Sequence, residues 1–156
     1  MIYLLDSNTC IAYLNGRAIG VLRRLQALPS EDVAVCSIVK AELFYGARRS
    51  NNPDRSIAQQ QDFFNGFISL PFDDQSAVIY GQIRAQLAAS GTPIGPNDLL
   101  IASIALANNL ILVTHNTREF SRVEGLRLED WEIEAGVELL ENDGVIALEN
   151  MQLRSS

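Results

Sequence analysis

The sequence predicts an α/β protein built on an open parallel sheet of four to five strands, with helices on both faces. Three observations carry this reading. Short apolar runs at residues 1–5, 33–36 and 110–114 lack the polar alternation of a half-exposed strand, as expected where both faces are buried. Longer stretches between them carry apolar residues at helical spacing. The two kinds of segment alternate along the chain, and sequential strands joined by helices pair in parallel.

The elements follow in order. Residues 1–5 form a buried strand that stops at Asp6. Ser7, Asn8 and Thr9 supply caps for a helix beginning near Cys10, which Asn15 and Gly16 stop, and a second helix covers residues 18–27 and ends before Pro29. Val33–Cys36 is the next strand. Ser37 caps a helix with Val39, Leu43 and Ala47 on one face, ended by Asn51, Asn52 and Pro53. Helices at residues 54–67 and 74–89 flank a short extended piece at residues 69–72. After the break at residues 91–96, with two glycines and two prolines, Asn97 and Asp98 open a strongly apolar helix that runs to Asn108. Asn109 stops it, residues 110–114 form a buried strand, and residues 126–129 form a last short one.

At 156 residues, 47% hydrophobic and 20% charged, the chain has the length and composition of one globular domain with a proper core. We assign residues 1–131 to that domain and residues 132–156 to an acidic C-terminal extension that forms a hairpin, packs as a tail or stays mobile. No apolar run reaches the ~20 residues of a membrane span, and Asp6 interrupts the N-terminal run too early for a signal peptide, so a cytoplasmic protein is expected. Cys10 and Cys36, both among apolar neighbours, read as buried thiols. The net charge of -7 opposes nucleic-acid binding at first sight. Yet six of the 19 acids and one of the 12 bases lie from Glu132 onward, leaving a body of 13 acids against 11 bases. All bases except Lys40 are arginines, whose planar fork suits phosphate.

Three acids stand out. In open parallel sheets ligands bind beyond the carboxyl ends of the strands, and Asp6 is placed there by position, although a helix cap explains it equally well. Asp98 lies in the first turn of its helix, where the helix dipole alone accounts for an acid. Glu42 sits between Ala41 and Leu43 on an otherwise apolar helix, and there a charge needs a partner, either an arginine or a hydrated cation.

Four segments together carry a resemblance: LLDSNTCIAYL, SIVKAELFYGARRS, PNDLLIASIALANNLILVTHNTREF and LRLEDW. In this order, across residues 1–131, they resemble the PIN-domain ribonucleases of the VapC type, the toxins of type II toxin-antitoxin systems. The resemblance implies a PIN-like three-layer α/β/α sandwich. It also implies an acidic site holding Mg²⁺ or Mn²⁺ on Asp6, Glu42 and Asp98, with Asp6 and Asp98 as direct ligands. The family's fourth acid falls in THNTREF, where Asn116 stands at the usual position and Glu119 is close enough in sequence to serve instead. Ser7 replaces the family's usual Thr and keeps the hydroxyl. Ser7, Asn116 and Arg118 are the expected substrate contacts, with Arg122 nearby. The implied partners are RNA, a cognate VapB-type antitoxin whose tail crosses the acidic crevice, and a second copy of the chain in a homodimer. Phe44, Tyr45, Phe63, Phe64 and Phe67 either line a groove for a partner helix or pack in the core.

The chemistry agrees. Phosphodiester hydrolysis needs an activated water and stabilised charge on the attacked and leaving oxygens, which carboxylate-held Mg²⁺ supplies without histidine. His115 is the sole histidine, so a histidine pair acting as acid and base is excluded, and His115 itself reads as structural or substrate-facing. The rival from another class is a PIN-like module that binds RNA or protein without cutting. A phosphatase would want a second acid at Asn8, and no phosphate loop of the GxxxxGK[ST] kind is present.

Overall fold

The computed structural model describes residues 1–133. The expected behaviour of the acidic extension falls, but for Glu132 and Ile133, outside the described residues. Five parallel strands form one sheet: β1 Tyr3–Leu5, β2 Val33–Cys36, β3 Ile68–Leu70, β4 Ile111–Val113 and β5 Leu128–Glu129, in the order β3-β2-β1-β4-β5. Leu4 and Leu5 of β1, all of β2, and Leu112 and Val113 of β4 are buried, as their uninterrupted apolar sequences require.

Helices flank the sheet: α1 Ser7–Leu14, α2 Ile19–Ala27, α3 Ser37–Arg48, α4 Pro53–Phe64, α5 Asp74–Ala89, α6 Pro96–Ala107 and the short α7 Thr117–Phe120. Helix α1 packs against α2 and α3, α3 against α4, and α5 against α6. Asn52 accepts from the Arg55 N–H to cap α4, and Asp73 accepts from the Ser76 N–H to cap α5. Beyond the end of α5, Gly91 takes a φ of +68°, a conformation in which a side chain would be strained.

Several boundaries differ from the sequence reading: α4 ends at Phe64 where the helix was expected to reach residue 67, and β3, β4 and β5 are shorter than the extended pieces expected at residues 69–72, 110–114 and 126–129. Helix α1 starts at Ser7, so Asp6 holds the extended residue before the helix. Likewise α3 starts at Ser37, with Cys36 in that role. In both cases the strand passes straight into the helix without a loop. Helix α7 and a 3₁₀ turn at Ser30–Asp32 had no periodic signature, being four and three residues long.

The core lies between sheet and helices. Helix α6 is its most apolar member, burying Leu99, Ile101, Ala102, Ile104 and Ala105. Full burial of each large aliphatic side chain contributes about 1.5–3 kcal/mol, so α6 is firmly seated and fixes whatever its first turn carries. Cys10 and Cys36 are buried and unbridged, as the sequence suggested. Trp131, just beyond β5, is fully buried. Its ring meets Tyr3 edge-on at 5.2 Å and lies 4.9 Å from the Arg24 guanidinium, while its N–H donates to Glu129 at 2.9 Å.

Candidate active site

The chain lays β1, β2 and β3 in one direction across the sheet, then returns to place β4 and β5 on the other side of β1. The reversal between β1 and β4 opens a crevice beyond their carboxyl ends, where open α/β sheets receive ligands. Leu5 pairs with Val113, so Asp6 and Thr114 leave the sheet side by side.

Asp6 is 5% exposed and sits on a rigid base, since its N–H donates to the Val113 carbonyl at 2.9 Å. Its carboxylate accepts from the Thr114 hydroxyl at 2.7 Å. A buried carboxylate held this way is oriented outward from a fixed strand end, which a cap alone does not require. Burial pushes its pKa up from the usual value, opposed by the Thr114 and Ser7 hydrogen bonds and assisted by the charges of Glu42 and Glu119.

Glu42, half-buried on α3, answers the question its sequence posed. One carboxylate oxygen takes the Ser7 hydroxyl and the other takes the Asn97 side-chain N–H at 3.1 Å. Its partners are neutral, so the negative charge is held in place without being cancelled. Asp98 lies in the first turn of α6 and is half-buried. Burial is the main cause that raises its pKa to about 8; the hydrogen bond with Glu119 and the charges on Asp6, Glu119 and Glu42 add to it. A Cβ added at Gly95 would stand 3.8 Å from Asp98 Oδ2 and 3.9 Å from Glu119 Oε2, so the glycine leaves open space where those two carboxyls meet.

The four acids therefore share one crevice although they come from the β1 end, α3, α6 and α7. They do not form a tight cage. Among the described residues, no three of them bring ligand atoms within 4.8 Å of one another. Like charges repel until a cation compensates them, and Mg²⁺ keeps several of its waters, so spaced carboxylates suit it. Arginines do not neutralise the cluster: among the described residues the arginine ion pairs join Arg24 to Glu129 and Arg48 to Asp54. An oxygen-only donor set with unspent negative charge is what a hard divalent cation needs.

The remaining expected contacts are distributed around this crevice. Ser7 is engaged with Glu42. Asn116 precedes α7, and its backbone N–H donates to the Thr114 hydroxyl at 3.0 Å, closing a chain from Asn116 through Thr114 to Asp6. Glu119, and not Asn116, brings the fourth carboxylate to Asp98. Arg118 is exposed on α7. Arg122 donates to the Pro93 carbonyl at 3.0 Å, which ties it to the loop before α6. His115 lies apart from the four acids in its bonding, paired with Asp130 at 2.9 Å. Thr114 and Asn97 were missed as site residues. The signal for Thr114 was a hydroxyl directly after a buried strand, at the same height as Asp6.

Beside the crevice runs a groove lined by both apolar and polar side chains. Glu42 borders its first part, about 260 Å³, with Ile11, Leu14, Leu43 and Ala47. A second part of about 360 Å³ shares Leu14 and Gln59 and is lined by Tyr13, Leu25, Phe63 and Phe67. Of the five aromatics singled out in the sequence, Phe64 is core and Phe44 packs edge-on against it, Phe63 and Phe67 line the groove, and Tyr45 is exposed with Arg49 over its ring.

Comparison with known proteins bears on the whole arrangement. The family model described as PIN domain matches residues 3–126. The chain is 41% identical over 129 residues to the tRNA(fMet)-specific endonuclease VapC of Salmonella typhimurium, covering 83% of this chain and 97% of that protein. It is 40% identical over 129 residues to Ribonuclease VapC2 of Haemophilus influenzae, with the same coverage. Among solved structures, the DNA-bound VapBC of Salmonella typhimurium superposes with a TM-score of 0.80 at 40% identity, covering 84% of this chain and 98% of that one. With the parallel sheet, the crevice at its reversal and the four acids in place, the chain belongs to the PIN-domain family, in its VapC-type branch.

Proposed function

We propose that this chain is a Mg²⁺-dependent endoribonuclease, the toxin half of a VapBC-type pair, hydrolysing RNA phosphodiester bonds at the Asp6, Glu42, Asp98 and Glu119 crevice. Mn²⁺ is the alternative ion. The observation that carries the reading is the convergence of four carboxyls, without an arginine partner among the described residues, at the sheet's reversal point. The ribonuclease and endonuclease names of relatives at about 40% identity and nearly full coverage support the same conclusion.

In this reading Asp6 and Asp98 would hold the ion directly, Glu42 would reach it through water or complete a second site, and Glu119 would complete the acidic set. Bound Mg²⁺ lowers the pKa of a coordinated water and offsets charge building on the phosphate oxygens. The protein's share is positional. Thr114 fixes the Asp6 carboxylate, Ser7 and Asn97 fix Glu42 from two sides, and α6 carries Asp98 on the best-packed helix. Burial and the neighbouring acids favour the protonated form of Asp98, so ion binding here would be coupled to its deprotonation. Arg118 and Asn116 are proposed to contact the RNA backbone, and Ser7 to face the substrate.

The partner implied is a VapB-type antitoxin, as assembled with the VapC of the Salmonella structure. The groove from Glu42 past Leu14 to Phe63 and Phe67 suits the apolar face of such a segment. No helix among the described residues is long and apolar enough to cross a membrane.

The deciding experiment incubates the purified chain, free of antitoxin, with total RNA and with initiator tRNA, in Mg²⁺ and in EDTA, and repeats it with Asp6→Asn. Cleavage by the wild type in Mg²⁺ alone is the expected result. Equal cleavage by Asp6→Asn, or RNA retention without cutting under every condition, would overturn the nuclease reading, the latter in favour of a binding module.

A further inference from the structure

Strands β4 and β5 are parallel neighbours with Val113 opposite Glu129, so the residues just beyond them emerge together at the sheet edge. There His115 Nδ1 lies 2.9 Å from Asp130 Oδ2 and 4.0 Å from Glu132 Oε2. The three ligand atoms all fall within 4.8 Å of one another, the one such set of three among the described residues. We propose that His115, Asp130 and Glu132 form a second cation site, for Zn²⁺ or a similar transition metal, separate from the carboxylate crevice.

The donor chemistry separates the two sites. The crevice offers oxygen alone and suits a hard ion, whereas one imidazole nitrogen with two carboxylate oxygens favours Zn²⁺ and its neighbours over Mg²⁺. With bonds of about 2.0–2.2 Å, tetrahedral ligands stand roughly 3.3–3.5 Å apart. The two measured separations from Nδ1 bracket that range, so a small swing of the Glu132 and His115 side chains closes the set. Asp130 is the fixed member: its side chain is only 10% exposed, and its other oxygen accepts the Glu132 N–H at 3.0 Å, which aims Oδ2 at the imidazole. Such outer hydrogen bonds orient metal ligands generally. His115, with its side chain 55% exposed, leaves one side of the site open to water or another small ligand. The chain's sole histidine thus stands between two acids at an open rim.

The test does not depend on RNA cleavage. The full chain, stripped with chelator, is titrated calorimetrically with Zn²⁺ in excess Mg²⁺, alongside His115→Ala, Asp130→Asn and Asp6→Asn, with circular dichroism to confirm folding. Wild type and Asp6→Asn should each bind one Zn²⁺ equivalent that Mg²⁺ does not displace, and His115→Ala should lose it. Co²⁺ should give visible bands in the wild type that are absent in His115→Ala. His115→Ala, being at an exposed position, carries the conclusion should Asp130→Asn fail to fold. Equal Zn²⁺ uptake by wild type and His115→Ala, or no Mg²⁺-resistant equivalent, would show an ion pair only; loss of the equivalent in Asp6→Asn would place the Zn²⁺ in the crevice. Either overturns the proposal, and neither touches the nuclease reading.

Discussion

The hydroxyl of Thr114 donates to the carboxylate of Asp6 at 2.7 Å, joining residues 108 positions apart that leave adjacent parallel strands at the same height. The same hydroxyl accepts the Asn116 N–H, so strand β4, the α7 entry and the Asp6 carboxylate form one hydrogen-bonded unit.

Thr114→Val keeps the shape and removes the donor. A buried carboxylate that loses a hydrogen bond should destabilise the fold by about 1.5–3 kcal/mol, measured by urea unfolding. With Asp6 no longer oriented, RNA cleavage should fall roughly 10–100-fold, the usual cost of losing an outer hydrogen bond to a metal ligand.

Metal-free stability should fall as pH rises. Asp98 in the fold holds its proton to about pH 8, from an ordinary value of 3.8, while the unfolded chain releases it near that ordinary value. Asp6 is shifted in the same direction. A raised pKa stabilises the fold fully below the unfolded value and loses this contribution as pH climbs toward the folded one. In EDTA the Tm should therefore decline between about pH 4 and 8 through these groups. Added Mg²⁺ should restore it most at the alkaline end, where the carboxylates are free to bind.

Asp98→Asn separates stability from activity. The amide carries no charge, so in EDTA at pH 8–9 the variant should melt above the wild type. In Mg²⁺ it should cleave RNA at least ~100-fold more slowly, as expected for loss of the carboxylate proposed to hold the ion. Lower activity together with a lower melting temperature would refute the electrostatic account.

Activity at limiting Mg²⁺ should drop toward acid pH, because burial and the neighbouring acids favour the protonated form of Asp98, which the proposed ion site needs ionised. Raising Mg²⁺ should move the acid limb of the profile to lower pH. An acid limb insensitive to Mg²⁺ would assign it to another group.

Trp131→Ala should cost about 3–5 kcal/mol, as for other fully buried large aromatics. It removes a side chain that is 1% exposed and touches Tyr3 and Arg24. Denaturant unfolding followed by circular dichroism measures the loss.

The parts of the fold legible in the sequence were those with long, consistent patterns. Val33–Cys36 and Asp74–Ala89 match the expected bounds, and the apolar helix opening near Asn97 is α6. Helix α1 began three residues earlier than the sequence suggested, because capping residues at Ser7 to Thr9 also tolerate a first helical turn, and the strand runs directly into it. Candidate acids were visible as charges in apolar surroundings. Their supports were not: Thr114 and Asn97 act on residues 108 and 55 positions away, and no local pattern records such a pairing. Between Asn116 and Glu119 the sequence left the fourth acid open; α7 carries the Glu119 carboxyl to a hydrogen bond with Asp98, which supports Glu119 as the proposed member.

The sheet order also dictates when, during synthesis, a reactive centre first exists. Strand β1 gains its second neighbour only once Ile111–Val113 has been made, and Glu119 follows later still. A nascent chain that has emerged only through α5 holds Asp6 and Glu42 and nothing to complete them. On a translating ribosome surrounded by RNA, the four-acid crevice proposed to cut it is therefore incomplete until β4 and α7 have been made.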